Sequence, residues 1–316
     1  MSAAQEGGSR PQGGAARKKR TRLDGVLLLD KPSGISSQGA VSRAKGIFSA
    51  AKAGHTGTLD PMATGLLPIA FGEATKFAHA LLDADKGYRA TVRLGVTTTT
   101  GDLEGEVVRE APVEVDREVL EAALAPFRGE ISQMPPMYSA LKHAGRPLYE
   151  YARAGTEIPR APRRITIRAL TLESFDGTDA CIEVACTKGT YIRVLAEDIG
   201  KALGCGATLA ALRRTQVGRF SLESAVTLAA LAEMTEEERL ARLLPADALL
   251  EGLPSLALDT EQARRMAHGQ VVVHPDAAGG LVRVYGPDSA FLGLAEASDD
   301  GALTAHRLVS SEPVKA

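Results

Sequence analysis

Residues 54–65 read GHTGTLDPMATG, a run too rich in glycine and threonine to form a regular helix or strand. Apolar segments with the length of a strand lie on either side, at residues 25–29 and 66–71. The pattern predicts an irregular loop between buried strands, and Asp60 is the only acidic residue in it. An aspartate before a proline is common in turns, whereas a carboxylate on a rigid loop can also act as a nucleophile or base.

Strand and helix patterns alternate along the rest of the chain. Residues 88–95 switch strictly between apolar and polar side chains, which places Tyr88 on the apolar face of a strand. Ser37 is a candidate N-cap for a helix that reaches Phe48. Further helices are predicted at residues 73–82, 115–127, 192–203 and 222–250, and further strands at residues 165–172 and 181–186.

The composition is that of a globular protein, and its charge is unevenly distributed. A length of 316 residues suggests two domains. Residues 1–220 contain 30 Lys and Arg against 24 Asp and Glu, whereas residues 221–316 contain 7 against 15. A basic unit followed by an acidic one predicts two different surfaces and a polyanionic partner for the first. No apolar segment approaches the roughly 18 residues of a membrane helix, so no membrane association is expected.

Several kinds of cofactor site are excluded by the motifs. The three cysteines, Cys181, Cys186 and Cys205, form no CxxC pair, so neither a disulfide framework nor a zinc site is expected and a reducing cytoplasm is the natural setting. The six histidines lack metal-ligand spacing. The glycine motifs of P-loop and dinucleotide sites are missing from the sequence. We therefore expect no metal and no cofactor.

Three segments have distinctive compositions. Residues 1–22 are basic and rich in Gly and Ala, which predicts a disordered tail or an electrostatic arm for nucleic acid. Residues 131–164 are rich in Pro and Gly, and the segment from Lys142 to Arg168 contains seven Lys or Arg but only two Glu. This composition predicts a mobile basic insertion, with one helix near residues 148–153. A short helix near residues 261–267 and strand-like runs at 270–273, 281–285, 290–295 and 302–309 predict a small β-barrel.

Taken together, the motifs of this chain resemble those of the bacterial tRNA pseudouridine-55 synthases, the TruB family. The loop carries HTGTLDP-x-A-x-G-x-LP at residues 55–68, and G-x-ATK follows at 72–76. Six more stretches match in the family's order. They are LDKP-x-G at 29–34, K-x-Y at 86–88, T-x-GD-x-x-G at 99–105, PP-x-YSALK at 135–142, GTYIR at 189–193, and LGCGA at 203–207 with LRR at 212–214. The resemblance runs from about residue 24 to residue 220 and is looser beyond.

This resemblance implies an enzyme that isomerises uridine to pseudouridine at position 55, in the T-arm loop of tRNA, without a cofactor. It implies that Asp60 is the nucleophile and that Arg193 pairs with it. A guanidinium can hold a carboxylate through two hydrogen bonds, which a lysine cannot do in the same geometry. Tyr88 matches the tyrosine that stacks on the flipped base and assists proton transfer.

The resemblance also implies residues that bind the substrate. Tyr191 and Leu212 match positions that enclose the uracil. His55 matches a residue that inserts into the T-loop, which would offset the few kcal/mol that base flipping costs. Lys31 matches a lysine that braces the active-site loops.

The fold implied by the resemblance is α+β. A mixed, mostly antiparallel sheet with flanking helices would form a catalytic domain over residues 23–252, and a PUA-like β-barrel would follow over residues 253–312. The enzyme would be a monomer. The sequence leaves open whether the barrel contacts tRNA through a local basic patch of Arg264, Arg265 and Arg283.

Other functions remain open at this point. A non-catalytic tRNA-binding or tRNA-folding protein would need the basic insertion and the barrel, but not the set of Asp60, Arg193 and Tyr88. A tRNA methyltransferase would share the substrate, but it would need a cofactor-binding glycine motif. A related synthase could act on rRNA or use a guide RNA, although the insertion at residues 131–164 favours stand-alone recognition of the T-arm.

Overall fold

The computed structural model describes residues 20–310 of the chain. The strands of the first unit are β1 (Gly25–Lys31), β2 (Ala53–His55), β3 (Thr64–Phe71), β4 (Lys86–Leu94), β5 (Val96–Thr98), β6 (Val107–Glu110), β7 (Gly129–Gln133), β8 (Lys142–His143), β9 (Arg146–Pro147), β10 (Arg163–Phe175), β11 (Asp179–Cys186), β12 (Ala207–Val217), β13 (Phe220–Ser221), β14 (Val226–Thr227) and β15 (Leu243–Leu244). The strands of the second unit are β16 (Ser255–Ala257), β17 (Val272–Val273), β18 (Gly280–Tyr285), β19 (Phe291–Ala297) and β20 (Ala302–Leu308).

Eight α-helices are found in the described residues. They are α1 (Ser37–Ile47), α2 (His79–Leu82), α3 (Arg117–Leu124), α4 (Leu148–Arg153), α5 (Ile192–Ala202), α6 (Leu228–Glu233), α7 (Glu236–Leu240) and α8 (Thr260–Ala267). Short 3₁₀ helices cover Gly72–Phe77, Ala125–Phe127, Leu222–Ser224, Ala246–Leu250 and Pro287–Ser289.

The first unit is built on one large sheet. The main path of this sheet runs β14-β1-β3-β12-β4-β11-β10-β7, and β2, β13 and β15 pair at its sides. Neighbouring strands are antiparallel except for β1 with β14 and β3 with β12. The α+β fold with a mixed, mostly antiparallel sheet is therefore confirmed.

Strands β1 and β3 are buried on both faces, which explains why their sequences are largely apolar. Along β1, Leu27 and Leu29 enter one hydrophobic cluster together with Val41 of α1. The alternate residues Val26 and Leu28 enter a second cluster on the opposite face. The period of two thus divides one strand between two cores and fixes its register.

Strands β4 and β12 bring the later motifs to the loop at residues 56–63. Tyr88 is the register partner of Arg214, and Arg214 in turn pairs with Gly65 at the start of β3. Gly65 has φ +100°, and a Cβ there would lie 2.3 Å from the carbonyl oxygen of Arg214. Glycine is therefore required at this crossing, where the loop joins the sheet.

The second unit is a five-stranded sheet in the order β16-β18-β19-β20-β17, and α8 packs beside it. Its hydrophobic cluster includes Leu258, Met266 and Val284. This half-barrel is the PUA-like unit expected from the sequence. The parallel strand β16 was not predicted, since it is only three residues long.

The two units pack directly against each other. The rings of Phe77 and Phe291 have their centroids 5.4 Å apart. The Lys76 Nζ donates to the carbonyl oxygen of Leu308 at 2.9 Å, and Arg307 Nη1 donates to the carbonyl oxygen of Lys76 at 2.9 Å. Deleting the second unit would therefore expose part of the first unit's core.

The described residues begin inside the predicted N-terminal tail. Of the predicted tail, residues 1–19 lie outside the described residues, as do residues 311–316 at the other end. Thr21 already forms a β-bridge with Ala50, and its N–H donates to the carbonyl oxygen of Ser49 at 2.8 Å. The paired chain thus starts before residue 23.

The predicted insertion at residues 131–164 overlaps the sheet at both ends. Strands β7 and β10 pair with each other, so residues 131–133 and 163–164 belong to the sheet. Helix α4 confirms the helix predicted near residues 148–153. Strands β8 and β9 form a small hairpin before it. The mobility of this segment stays a prediction.

The single helical stretch predicted over residues 222–250 is wrong. Thr227 caps α6 and Thr235 caps α7 through a capping box, so the chain contains two separate helix starts. The short strands β14 and β15 pair with β1 on either side of these helices. The apolar residues at helical spacing therefore belong partly to short strands at the edge of the sheet and partly to the helices.

The prediction that Ser37 caps α1 is also wrong. The Oγ of Ser36 accepts from Gly39 N at 3.0 Å and is the N-cap. Ser37 is buried in the first turn and makes a different contact, described below.

Candidate active site

The loop that carries Asp60 is fixed by α1. The Ser37 Oγ donates to the carbonyl oxygen of Leu59 at 3.0 Å and accepts from Leu59 N at 2.8 Å. Ser37 therefore replaces the backbone partner that Leu59 would have in a regular strand. The Asp60 side chain follows directly and is 38% exposed. The carboxylate is thus held on a rigid backbone while it still faces solvent.

Arg193 is the cation beside Asp60. Its side chain is 6% exposed, and its Nε lies 3.0 Å from Oδ2 of Asp60. The terminal nitrogens bond elsewhere: Nη1 donates to the carbonyl oxygen of Thr100 at 2.9 Å, and Nη2 donates to that of Tyr138 at 2.7 Å. The expectation that Arg193 holds Asp60 through two hydrogen bonds is therefore wrong, because both terminal nitrogens of the guanidinium are bound to backbone carbonyls.

A second carboxylate lies near the same guanidinium. Oδ2 of Asp102 is 3.7 Å from Arg193 Nε, and Asp102 is almost fully buried. Its Oδ1 accepts from Thr100 Oγ1 at 2.5 Å and from Glu104 N at 3.1 Å. Burial raises the pKa of Glu104, and the negative charges of Asp102 and Asp60 raise it further. Arg193 lies among these acidic groups, and the charges of Lys31 and Arg193 both oppose the rise in the pKa of Glu104.

Tyr88 lies in the same cleft, on the strand that pairs with β12. Burial raises the pKa of its phenol, and the adjacent charge of Arg214 opposes that rise. Arg214, which is almost fully buried, is the register partner of Tyr88 and lines the same cleft. A tyrosine whose sequence pattern is that of an ordinary core residue thus lies beside a buried cation.

The cleft between these groups has a volume of about 500 Å³. Of the residues predicted from the sequence, five line it: Asp60, Tyr88, Tyr191, Arg193 and Leu212. The backbone of Tyr191 is held at both ends by one amide, because Tyr191 N donates to Gln133 Oε1 at 3.1 Å and Gln133 Nε2 donates to the Tyr191 carbonyl oxygen at 3.3 Å. Burial raises the pKa of Tyr191, which keeps its phenol neutral.

Lys31 and His55 do not line this cleft. Lys31 is fully buried under the loop, and its Nζ donates to the carbonyl oxygens of Ile35 at 2.7 Å, Pro32 at 2.9 Å and Pro61 at 3.3 Å. Burial lowers its pKa to about 8. His55 ends β2, and its Nδ1 accepts from Gly57 N at 3.4 Å. Burial and, after it, the charge of Arg214 lower the pKa of His55.

Sequence patterns assign no part in the active site to four residues that surround it, which are Ser37, Asp102, Gln133 and Arg214. Asp102 and Arg214 stand inside motifs that were recognised, TxGDxxG and LRR. Ser37 and Gln133 carry no sequence signal, since each acts by a bond to backbone far along the chain.

Residues 20–310 contain no group of three or more His, Cys, Asp or Glu arranged to hold a metal ion. Over the same residues, no helix is long and apolar enough to cross a membrane.

Comparison with known proteins identifies the class of this site. The N-terminal domain of the TruB family pseudouridylate synthases matches residues 45–192, the tRNA pseudouridylate synthase B C-terminal domain matches residues 193–251, and the C-terminal domain of pseudouridine synthase II TruB matches residues 254–309. The cleft is thus that of a pseudouridine synthase.

Curated relatives match over nearly the whole chain. The tRNA pseudouridine synthase B of Chromobacterium violaceum is 59% identical over 299 residues, which are 94% of this chain and 98% of the relative. The protein of the same name from Burkholderia mallei is 58% identical over 300 residues, 93% of this chain and 96% of the relative. The chain therefore belongs to the TruB family of pseudouridylate synthases.

Solved structures agree with this fold. The archaeal box H/ACA sRNP Nop10-Cbf5 complex contains a chain with a TM-score of 0.68 and 27% identity, and the match covers 96% of this chain and 92% of that one. An H/ACA RNP bound to a substrate RNA containing 2′-deoxyuridine gives a TM-score of 0.69 with 26% identity, over 98% and 92% of the two chains.

Proposed function

We propose that this chain isomerises uridine to pseudouridine at position 55, in the T-arm loop of tRNA. One observation carries the proposal: the partly exposed Asp60 carboxylate is paired with the buried Arg193, and Tyr88 lies in the same cleft. The relatives named tRNA pseudouridine synthase B, which align over nearly the full chain, support tRNA as the substrate.

The reaction needs few groups, and the cleft supplies them. Asp60 attacks the nucleoside, either at the ribose or at the base, and the bond between N1 and C1′ breaks. The uracil turns, its C5 bonds to C1′, the proton on C5 leaves, and N1 takes up a proton, so the isomerisation is balanced. Asp60 attacks as a carboxylate, and the Arg193 guanidinium places a positive charge 3.0 Å from its Oδ2. Tyr88 stacks on the base and transfers the proton.

The target uridine reaches the cleft only by leaving its stack. A cleft of about 500 Å³ has room for one base between Tyr191 and Leu212. His55, at the end of β2 beside the loop, inserts into the T-loop and offsets the few kcal/mol of unstacking. Lys31 braces the loop from below through the carbonyl oxygen of Pro61.

The basic insertion is the main RNA-binding segment in this proposal. Lys142, Arg153 and Arg163 are exposed there and have no acidic partner among residues 20–310, although Arg153 lies over the ring of Tyr149. Arg146, Arg160 and Arg164 are paired with glutamates. We therefore expect Lys142 and Arg163 to make the main contacts with phosphate.

The second unit contributes stability more than RNA contact. Arg264 is paired with Glu261, and Arg265 donates to the carbonyl oxygen of Val271. Arg283 is largely buried, where its Nε donates to the carbonyl oxygen of Leu253. These three arginines are thus poorly placed to form a phosphate-binding patch. The enzyme acts as a monomer in the cytoplasm.

The test is conversion of an unmodified T-arm hairpin with no cofactor added, read by a carbodiimide-dependent stop of reverse transcription. We expect one new stop, at the uridine of position 55. The Asp60→Asn variant is the matched control, because it keeps the shape of the side chain. A protein that only binds or folds tRNA would give no stop with either enzyme, and this outcome would overturn the proposal.

A further inference from the structure

Arg214, on β12, is the largest of the fully buried side chains in the described part of the protein. Its Nε donates to the carbonyl oxygen of Leu66 at 2.7 Å, its Nη1 to that of Thr58 at 3.3 Å and its Nη2 to that of Gly57 at 3.2 Å. Two of these three acceptors belong to the loop that carries Asp60. The guanidinium is therefore fixed to the same backbone as the nucleophile.

The charge of Arg214 has no carboxylate partner within residues 20–310. Its neighbour Arg213 differs, because it pairs with Asp30 through contacts of 2.7 and 3.1 Å. A buried cation without an anion is costly, so some other group must justify its retention. Tyr88 is the register partner of Arg214 on β4, and both residues line the same cleft. Its phenol can therefore form an ion pair with Arg214 when it loses its proton.

The other titratable groups around Arg214 and Tyr88 do not take this role. His55 and Lys86 are bases, and each has its pKa lowered first by burial and then by Arg214. Burial raises the pKa of Cys186 to about 11, and its Sγ donates to the carbonyl oxygen of Lys86. Asp60 is an acid but is paired with a different arginine.

We propose that Arg214 is a positioning residue for proton transfer, which holds the Tyr88 oxygen in register with the Asp60 loop and stabilises the phenolate that forms during the reaction. The inference rests on the proposed function. Once C5 has bonded to C1′, the Tyr88 hydroxyl gives its proton to N1 and becomes a phenolate beside Arg214. The phenolate then takes the proton from C5, and the electron pair of the C5–H bond restores the ring double bond. No proton is gained or lost overall.

The test compares tRNA carrying hydrogen or deuterium at C5 of the target uridine, under single-turnover conditions. Arg214→Lys keeps a positive charge but loses the fork, and we expect it to react on the order of 10²-fold more slowly, as for loss of general acid–base assistance. Its deuterium isotope effect should exceed that of the native enzyme, because proton removal from C5 becomes limiting. Arg89→Met is the matched control, since Arg89 is exposed and pairs with Glu173 on the same sheet. It should keep the native rate and isotope effect.

A second variant covers the case in which Arg214→Lys does not fold. Tyr88→Phe removes only the hydroxyl and leaves the loop contacts of Arg214 in place, and it should show the same rise in isotope effect. A slow Arg214→Lys with an unchanged isotope effect would mean that Arg214 acts only on the loop, which overturns the inference. An unchanged isotope effect in Tyr88→Phe would overturn it as well. Failure of the native enzyme to convert tRNA would instead refute the proposed function.

Discussion

The Nε of Arg193 lies 3.0 Å from Oδ2 of Asp60, and both terminal nitrogens of the same guanidinium are bound to backbone carbonyls. The single contact of Arg193 with the Asp60 carboxylate is therefore oriented by two other hydrogen bonds of the same guanidinium. Because these bonds reach Thr100 and Tyr138, two segments distant along the chain control the position of one ion pair.

Arg193→Lys should separate charge from geometry at this pair. A lysine ammonium keeps the charge but cannot satisfy both carbonyls and the carboxylate from the same position. We expect the single-turnover rate to fall on the order of 10²-fold, as when one preorganised donor is lost. The affinity for tRNA should change little, which a filter-binding titration checks. A native rate in this variant would remove Arg193 from the site.

Ser36 and Ser37 form a matched pair for testing the loop anchor. Ser36→Ala removes the N-cap of α1 and should cost about 1 kcal/mol of unfolding free energy with a native rate in the folded enzyme. Ser37→Ala leaves the buried N–H and carbonyl of Leu59 without their partner and lets the Asp60 loop shift. We expect its rate to fall by as much as about 10²-fold, because small misplacements of a reacting group are costly. Equal rates in the two variants would contradict the anchor role.

The buried Lys31 should make stability depend on pH. Burial lowers its pKa from 10.5 in the unfolded chain to about 8 in the folded protein. Between these two values the unfolded state binds more protons, so this contribution to the unfolding free energy rises with pH from about 8 to 10.5 and is flat below about 8. Denaturant titrations of the native protein and of Lys31→Met should therefore diverge in slope over this range. Lys52→Met, at an exposed position, is the control and should follow the native curve.

Salt dependence should identify the phosphate contacts. Neutralising Lys142 and Arg163 to Gln should reduce the slope of log affinity against log salt by roughly two, one for each lost contact. Arg264→Gln should leave the slope unchanged, because that side chain is already paired with Glu261. The rate at saturating RNA should stay native in both variants. If Arg264→Gln lowers the slope and the double variant does not, the second unit is the main RNA surface.

Protease sensitivity tests the expected mobility of the insertion. Residues 134–162 contain only a hairpin of two two-residue strands and the short helix α4, so little apolar surface holds them to the sheet. We expect cleavage there in the free enzyme and protection by T-arm RNA. Equal cleavage with and without RNA would argue against ordering on the substrate.

The sequence predicted much of the fold because the central strands and α5 follow their hydrophobic periods closely. It failed over residues 222–250, where short helices alternate with two-residue strands whose pairing depends on β1. It also assigned the wrong cap to α1, since Ser36 and Ser37 are chemically equivalent and only the buried position of Leu59 distinguishes them.

For the site, the resemblance located Asp60, Tyr88, Tyr191, Arg193 and Leu212, which line one cleft. It could not supply the geometry of Arg193, because carbonyl acceptors leave no trace in the sequence. For the same reason the role of Arg214 was not predicted, since it donates hydrogen bonds to backbone carbonyls of residues about 150 positions away.

The most direct test of the account is Asp60→Asn with full-length unmodified tRNA. The amide keeps the shape of the carboxylate and removes the nucleophile, so tRNA binding should stay within a few-fold while pseudouridine formation disappears, as measured by mass spectrometry of the nucleosides after a long incubation. The native enzyme, treated in parallel, should convert one uridine per tRNA. Continued pseudouridine formation by Asp60→Asn in a preparation free of native enzyme would contradict the assignment of Asp60 as the nucleophile.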